Sequence, residues 1–407
     1  MKNDLSLLFG MTTVLCLSVL PFSSYVGALP LIQEEWNLTN SEAGLLFSMS
    51  MIGYLLASLI LMPLTDRIGS VRIIMGSMII SSVAHILFPF IAYGLVSGLV
   101  LRFLIGAGLV GIYMPGARLV VARFAGKMGG TAMGLYVAGF YFGTNISLTL
   151  IGVLISPLGW RSAYFCVAMS CVVATPIAFF VIRRMGVDSV KSSTGIINLS
   201  VLKNPLTRLF TLSYTCHAWD LYTLRVWGPP FMTFILLQQG HSLIQATASA
   251  STLLGMLFSL GCVAPVIGGT LSDRLGRAQT AFLVVAAGTL CALGLGWLYS
   301  LPIAFFVVLI SLYGFLTGAD SAVYSTAIIE TADQDKIGAT LGVYAFSGMS
   351  GGAVGPYLSG LLLDLFTSPR NWVFGFSVSG VVGIVSLLSM YKAIQIKKSC
   401  KLDTAST

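Results

Sequence analysis

The chain has 407 residues, of which 56% are hydrophobic and 9% charged, with a mean hydropathy of +0.92. A water-soluble protein carries roughly 25% charged residues, so a soluble fold is excluded. The formal net charge of +8 comes from lysines and arginines that lie in the breaks between apolar stretches. It reads as a membrane-topology signal and calls for no nucleic-acid partner.

A membrane crossing needs about 20 apolar residues, and twelve such segments are predicted in chain order. The first, 6–32, follows Lys2. It is too long for a cleaved signal and has no small-x-small cleavage site, so it is expected to be retained. Spans 43–63 and 73–93 are joined by Pro63-Leu64-Thr65-Asp66-Arg67-Ile68-Gly69-Ser70-Val71-Arg72. Span 95–120 contains Arg102, and span 130–156 contains Tyr136 and Gly139-x-x-x-Gly143. Gly159-Trp160-Arg161 precedes span 162–182 as an interface anchor. A Ser-, Lys- and Val-rich linker over 184–206 leads to span 207–237. Span 245–268 ends in Gly269-Thr270-Leu271-Ser272-Asp273-Arg274-Leu275-Gly276-Arg277, and 279–299, 302–329, 338–365 and 371–393 complete the set. The connections are too short to hold a soluble enzyme domain.

Of the 22 lysines and arginines, eighteen fall on the side that holds both termini and two, Arg161 and Arg370, on the other. Arg102 and Arg225 lie inside spans. The positive-inside rule places both termini in the cytoplasm. The seven cysteines have no metal-like spacing and are read as apolar packing, with disulfides not expected.

The halves read as copies. Lys2-Asn3-x-Leu5 recurs as Lys203-Asn204-x-Leu206, Asp66 as Asp273, and Gly134-x-Tyr136 as Gly342-x-Tyr344, at offsets of 201, 207 and 208. The expected architecture is an all-α integral membrane protein with 12 transmembrane helices in two six-helix pseudo-repeats. Its parts are an N-terminal bundle (1–183), a linker (184–206), a C-terminal bundle (207–394) and a cytoplasmic tail (395–407). Parallel repeats of this kind put a solute site between the halves near mid-bilayer.

The two Asp-Arg-x-Gly loops resemble the cytoplasmic-loop signature of the major facilitator superfamily, G-x-L-x-D-R-x-G-R. Asp66, Arg67, Gly69 and Arg72 match it in the first half, with Met62 where glycine is expected. Asp273, Arg274, Gly276 and Arg277 match it in the second. The resemblance implies a gating latch, in which Asp66 meets the start of the eleventh span near Gly338 and Asp273 the start of the fifth near Gly129, each carboxylate against a helix N-terminus. It also implies a monomeric secondary transporter of a bacterial inner (cytoplasmic) membrane that needs no cofactor.

The polar residues inside the spans carry the chemistry. Arginine in hydrocarbon costs at least about 2.5 kcal/mol, so Arg102 faces a cavity or a partner, or else snorkels to the outer interface two turns away. His217 and Asp220 are three apart on one helix face and can hydrogen-bond, with Arg225 rotated away toward another partner or the solute. Pro229 and Pro230 are expected to break the ladder above them. Asp320, among small neighbours in Gly318-Ala319-Asp320-Ser321, either carries a proton or pairs with Arg102 or Arg225 as a fixed neutraliser. Tyr25, Tyr136, Tyr141, Trp219, Tyr222 and Trp227 are candidate pocket walls, or else apolar packing. Gly139-x-x-x-Gly143, and Gly351-Gly352 with Gly355-Pro356, are expected to let helices approach across the interface between halves.

No G-x-x-x-x-G-K-[ST] loop supplies ATP drive, and no aspartate-rich metal motif or Ser/His nucleophile set supports a membrane enzyme. The reading is a secondary transporter moving a small polar solute, anionic or amphoteric, with the proton as coupling ion. Arg102, Arg225, His217, Trp219, Tyr222 and Tyr136 would bind the solute, and Asp220 or Asp320 would carry the proton. The seventh span is similar to the nitrate/nitrite and cyanate branch, without the Asn-Gly-Gly pattern of nitrate porters. The missing Gly-Pro after Gly143 favours uptake. The alternative is a proton-driven exporter of drugs or of a metabolite such as a siderophore.

Overall fold

The computed structural model describes residues 2–124, 129–185, 199–333 and 336–405, and they are helical almost throughout. Most of the 184–206 linker, with Lys127, Lys191 and Asp335, lies outside the described residues. Exposed positions include Ile60, Val100, Leu290 and Val308, apolar side chains that water would drive inward and a bilayer tolerates. The chain divides into two compact units, one of Met1–Ser193 with Pro229–Ser259, the other of Thr194–Gly228 with Leu260–Thr407.

The predicted first span is two helices, α1 (Lys2–Val19) and α2 (Ser24–Trp36). Pro21 has no N–H and biases Leu20 away from helix, so the chain turns over residues 20–23 before restarting. A capping box opens α3 (Asn40–Ile68): Glu42 N donates to Thr39 Oγ1 at 3.2 Å, and Thr39 N to Glu42 Oε2 at 2.9 Å. α4 (Ser70–Ile91) and α5 (Leu95–Arg123) follow. α6 (Gly129–Met185) has 57 residues, about 85 Å of helix if straight against about 30 Å of hydrocarbon. At Gly159 (φ 73°, ψ 161°) the backbone leaves the helical region, where the break between the fifth and sixth spans was expected.

α7 (Pro205–Gln238) runs through Pro229 and Pro230 as one helix, as the single span 207–237 implied. Each proline deprives the carbonyl four residues earlier, at Arg225 and Val226, of its helical donor, the break in the hydrogen-bond ladder expected there. The eighth span is interrupted: α8 (Leu243–Leu260), a 3-10 turn over Gly261–Val263, then α9 (Ala264–Leu275). α10 (Arg277–Leu295) precedes the tenth span, which is also divided, into α11 (Ile303–Ala319) and α12 (Ser321–Thr331) with Asp320 between them. α13 (Ile337–Leu365) and α14 (Asn371–Ala405) close the chain, and the last helix continues into the expected tail.

The glycine faces of the fifth and eleventh spans work inside the units, which corrects the expectation that they join the halves. A Cβ on Gly139 or Gly143 would stand 2.9 and 2.6 Å from the Thr12 and Cys16 carbonyls of α1. On α13, one on Gly355 would stand 2.8 Å from the Trp219 carbonyl of α7. Small residues here let neighbouring helices touch backbone to backbone. In the first unit α8 is bonded to the N-terminal helices: Ser251 Oγ donates to the Gly27 carbonyl at 2.7 Å, and Asn145 Nδ2 to the Phe258 carbonyl at 3.0 Å.

Candidate functional site

Two buried polar groupings stand out, one in each unit. In the first, α3 and α5 cross at reciprocal glycines: a Cβ on Gly106 would overlap the Ser50 carbonyl, and one on Gly53 the Phe103 carbonyl. That close crossing seats Arg102, which has no exposed surface. Its guanidinium lies over the rings of Tyr25, Phe22 and Phe47 at 4.7, 5.2 and 5.7 Å. Nε donates to the Leu46 carbonyl at 3.4 Å, Nη1 and Nη2 find no acceptor at strict hydrogen-bond geometry, and the Tyr164 hydroxyl stands close enough to interact with the guanidinium. Arg102 therefore does not snorkel. Ring faces supply its negative potential, worth about 0.5–2 kcal/mol per contact. The same unit buries His85, whose Nδ1 is 3.0 Å from Tyr164 Oη.

In the second unit, α7 presents Ser213, Cys216, His217 and Asp220 at helical spacing along one stripe. His217 does not bond Asp220, as the three-residue spacing allowed. Its Nδ1 is 2.9 Å from Asp320 Oδ1, and its Nε2 is 3.3 Å from Ser321 Oγ, so one ring clamps both residues at the break in the tenth span. Asp320 is thereby assigned a histidine partner in place of the arginines considered from sequence. Asp220 Oδ1 accepts the hydroxyl of Tyr313 from α11. Ser213 Oγ joins Tyr324 Oη at 2.7 Å and Ser386 Oγ at 2.5 Å. A cavity of about 20 Å³ is lined by Cys216, His217, Asp220, Thr289, Thr317, Asp320 and Ser386, room for one water molecule. The break that places Asp320 is seated on α9, where a Cβ on Gly268 would overlap the Ala319 carbonyl.

The remaining predicted residues are distributed around these groupings. Arg225 is half-buried on α7, eight positions past His217. Trp219 and Tyr222 pack on Gly355 and Gly352 of α13. Trp219 Nε1 is buried without a hydrogen-bond partner. Tyr136 is committed to the core of the first unit: its hydroxyl donates to the Tyr113 carbonyl at 3.2 Å and its ring stacks on Tyr113. Sequence reading missed Phe22 and Phe47, which look like ordinary apolar residues. It also missed Tyr313, whose one signal is its place two turns before Asp320 on the same helical face.

The two Asp-Arg-x-Gly loops share a backbone. Gly69 (φ 90°, ψ 147°) and Gly276 (φ 95°, ψ 150°) end one helix and open the next, a conformation that only glycine adopts without strain. Asp66 pairs with Arg118 at 2.7 Å, and Arg118 also donates to Thr65 Oγ1 at 2.5 Å. Asp273 pairs with Arg277 at 2.5 Å, and Arg277 reaches Glu330 at 2.8 Å. Arg67, Arg72 and Arg274 are exposed. At the Gly159 turn, Glu35 of α2 accepts from Trp160 Nε1 at 2.6 Å and Arg161 Nη2 at 2.5 Å, which ties the turn to α2.

Residues 11–356 match the family described as the Major Facilitator Superfamily. The chain is 22% identical to the hexuronate transporter of Bacillus subtilis, over 90% of this chain and 89% of that protein. It is 26% identical to the cis,cis-muconate transport protein of Acinetobacter baylyi, over 88% and 87%. It is 26% identical to the gentisate transporter of Corynebacterium glutamicum, over 90% and 82%. Among solved structures, a bacterial homologue of the human lysosomal transporter Spinster, inward-facing and occupied, aligns with TM-score 0.76 at 15% identity over 97% of each chain. The nucleoside transporter NupG aligns with TM-score 0.77 at 12% identity, over 95% of this chain and 99% of that one.

Proposed function

This chain belongs to the Major Facilitator Superfamily, and we propose that it takes up a small organic anion by alternating access, driven by protons. It is a multi-pass membrane transporter and not an enzyme. The observation that carries the choice of an anion is Arg102: a fully buried cation with aromatic faces around it, no carboxylate against it among the described residues, and only the Tyr164 hydroxyl near its Nη atoms. A carboxylate meets such a fork in its plane, with two parallel bonds. Proteins similar to it in sequence are named for hexuronate, muconate and gentisate, and carboxylates are the cargo proposed here. Arg225 would be the second cationic contact, with Trp219 and Tyr222 beside it.

The architecture proposed is twelve crossings in six-plus-six arrangement with both termini cytoplasmic, acting as a monomer in a bacterial inner membrane. The bonding of α8 to α2 and α6 supports an outer side that closes when solute leaves inward. Asp66 and Asp273, held by Arg118 and Arg277, would exchange those partners for the opposing helix ends when the cytoplasmic side closes. Asp220 and Asp320 are the proton-carrying candidates.

The test is flux in right-side-out vesicles offered aromatic, unsaturated and sugar carboxylates, with and without an inward proton gradient. Accumulation that needs both the anion and the gradient is expected. Outward movement under the same gradient would make the protein an exporter and overturn the direction proposed.

A further inference from the structure

The carboxylates of the second unit are not equivalent, and their difference points to a residue with no role so far. Asp320 is 3% exposed and His217 6%. Their side chains face each other at 2.9 Å, and the second imidazole nitrogen holds Ser321, so the pair ties α7 to the break between α11 and α12. A group that fastens two elements in this way is poorly placed to exchange protons each cycle. Asp220 is half-buried, lines the cavity and is held by the Tyr313 hydroxyl from α11. Tyr313 is fully buried.

We infer that Tyr313 is the positioning residue that sets the proton affinity of Asp220, and that Asp220 is the exchanging carboxyl while Asp320 and His217 stay paired. This rests on the proton-driven reading above. When Asp220 is a carboxylate it accepts the Tyr313 O–H. When a proton arrives through the cavity water, an O–H bond forms on Asp220, the water returns to its neutral form, and Tyr313 keeps its own proton. The ionisable and hydroxyl groups around Asp220 are His217, Cys216 and Arg225 from its own helix, Tyr313 from α11, Asp320 from the break, Thr289 and Cys291 from α10, and Ser379 from α14. Tyr313 donates directly to Asp220 Oδ1 across helices, and Ser379 from α14 stands beside the pair. A phenol that donates to the charged form favours that form.

The experiment reads the pH midpoint of solute exchange and of gradient-driven uptake in liposomes of the purified full chain. Tyr313→Phe removes one donor to a charged group, so the midpoint should move alkaline by about one pH unit. Difluorotyrosine inserted at 313, a stronger donor of nearly the same shape, should move it in the acid direction. In an Asp220→Asn background neither replacement should shift anything. An unmoved midpoint in both 313 replacements, with the parent driven by a proton gradient, overturns this inference alone. A parent protein indifferent to the proton gradient overturns the reading on which it rests.

Discussion

Arg102 in the first unit and Asp320 in the second are 0% and 3% exposed, yet they are stabilised by opposite means. Around the cation are three aromatic rings and the Tyr164 hydroxyl. Beside Asp320 are a histidine whose other nitrogen meets Ser321, and a second carboxyl group held by a tyrosine beside a cavity that fits one water. An aromatic cage holds charge without a proton inventory, since ring faces cannot titrate. A carboxyl, imidazole and phenol set is made of groups that can. On the function proposed above, anion recognition would fall to the first grouping and proton exchange to the second.

The largest effect should come from breaking the proton side. Asp220→Asn is expected to bring gradient-driven accumulation down to its no-gradient level while exchange of solute stays measurable. Full accumulation in that variant, tested alongside Asp320→Asn, would remove the carboxylates from the coupling step. On the anion side, Arg102→Gln should weaken solute binding by at least about tenfold, the value of one charge-assisted hydrogen bond. Arg102→Lys keeps the charge but loses the planar fork and much of the stacking, so it should fall between the two. Solute-induced thermal shifts measure both, and tight binding by the glutamine variant would refute the assignment.

Two smaller effects sharpen the comparison. Gly268→Ala drives a methyl into the Ala319 carbonyl and should cost about 1–3 kcal/mol of stability. It should also disturb proton coupling more than solute binding, because it unseats the break that carries Asp320. A melting temperature equal to the parent's would show that the contact relaxes freely. Asp273→Asn weakens an ion pair whose aspartate is largely exposed, so little stability should be lost. Spin-label distances across the cytoplasmic side should lengthen if Asp273 also serves the latch, and unchanged distances with full flux would count against it.

Much of the fold was legible because apolar length and charged breaks are local properties. Gly159 turned the chain where a loop was expected, and Gly69 and Gly276 gave the repeated loops one backbone. Illegible were the interruptions at Pro21, at Gly261–Val263 and at Asp320. In a bilayer, neighbouring helices can re-satisfy freed backbone groups, so Pro229 and Pro230 sit inside one span while Pro21 divides another.

By itself the sequence determined that this is a helical membrane protein, and it singled out Arg102, Asp220, His217, Asp320 and the Asp-Arg-x-Gly loops. Only the tertiary structure decided who meets whom. His217 turned from Asp220 to Asp320, Asp220 took Tyr313, and Arg102 found rings instead of a carboxylate. Helical periodicity fixes which residues share a face. The partner opposite depends on how separate helices rotate and pack, and those contacts join positions about a hundred residues apart, beyond what any local pattern encodes.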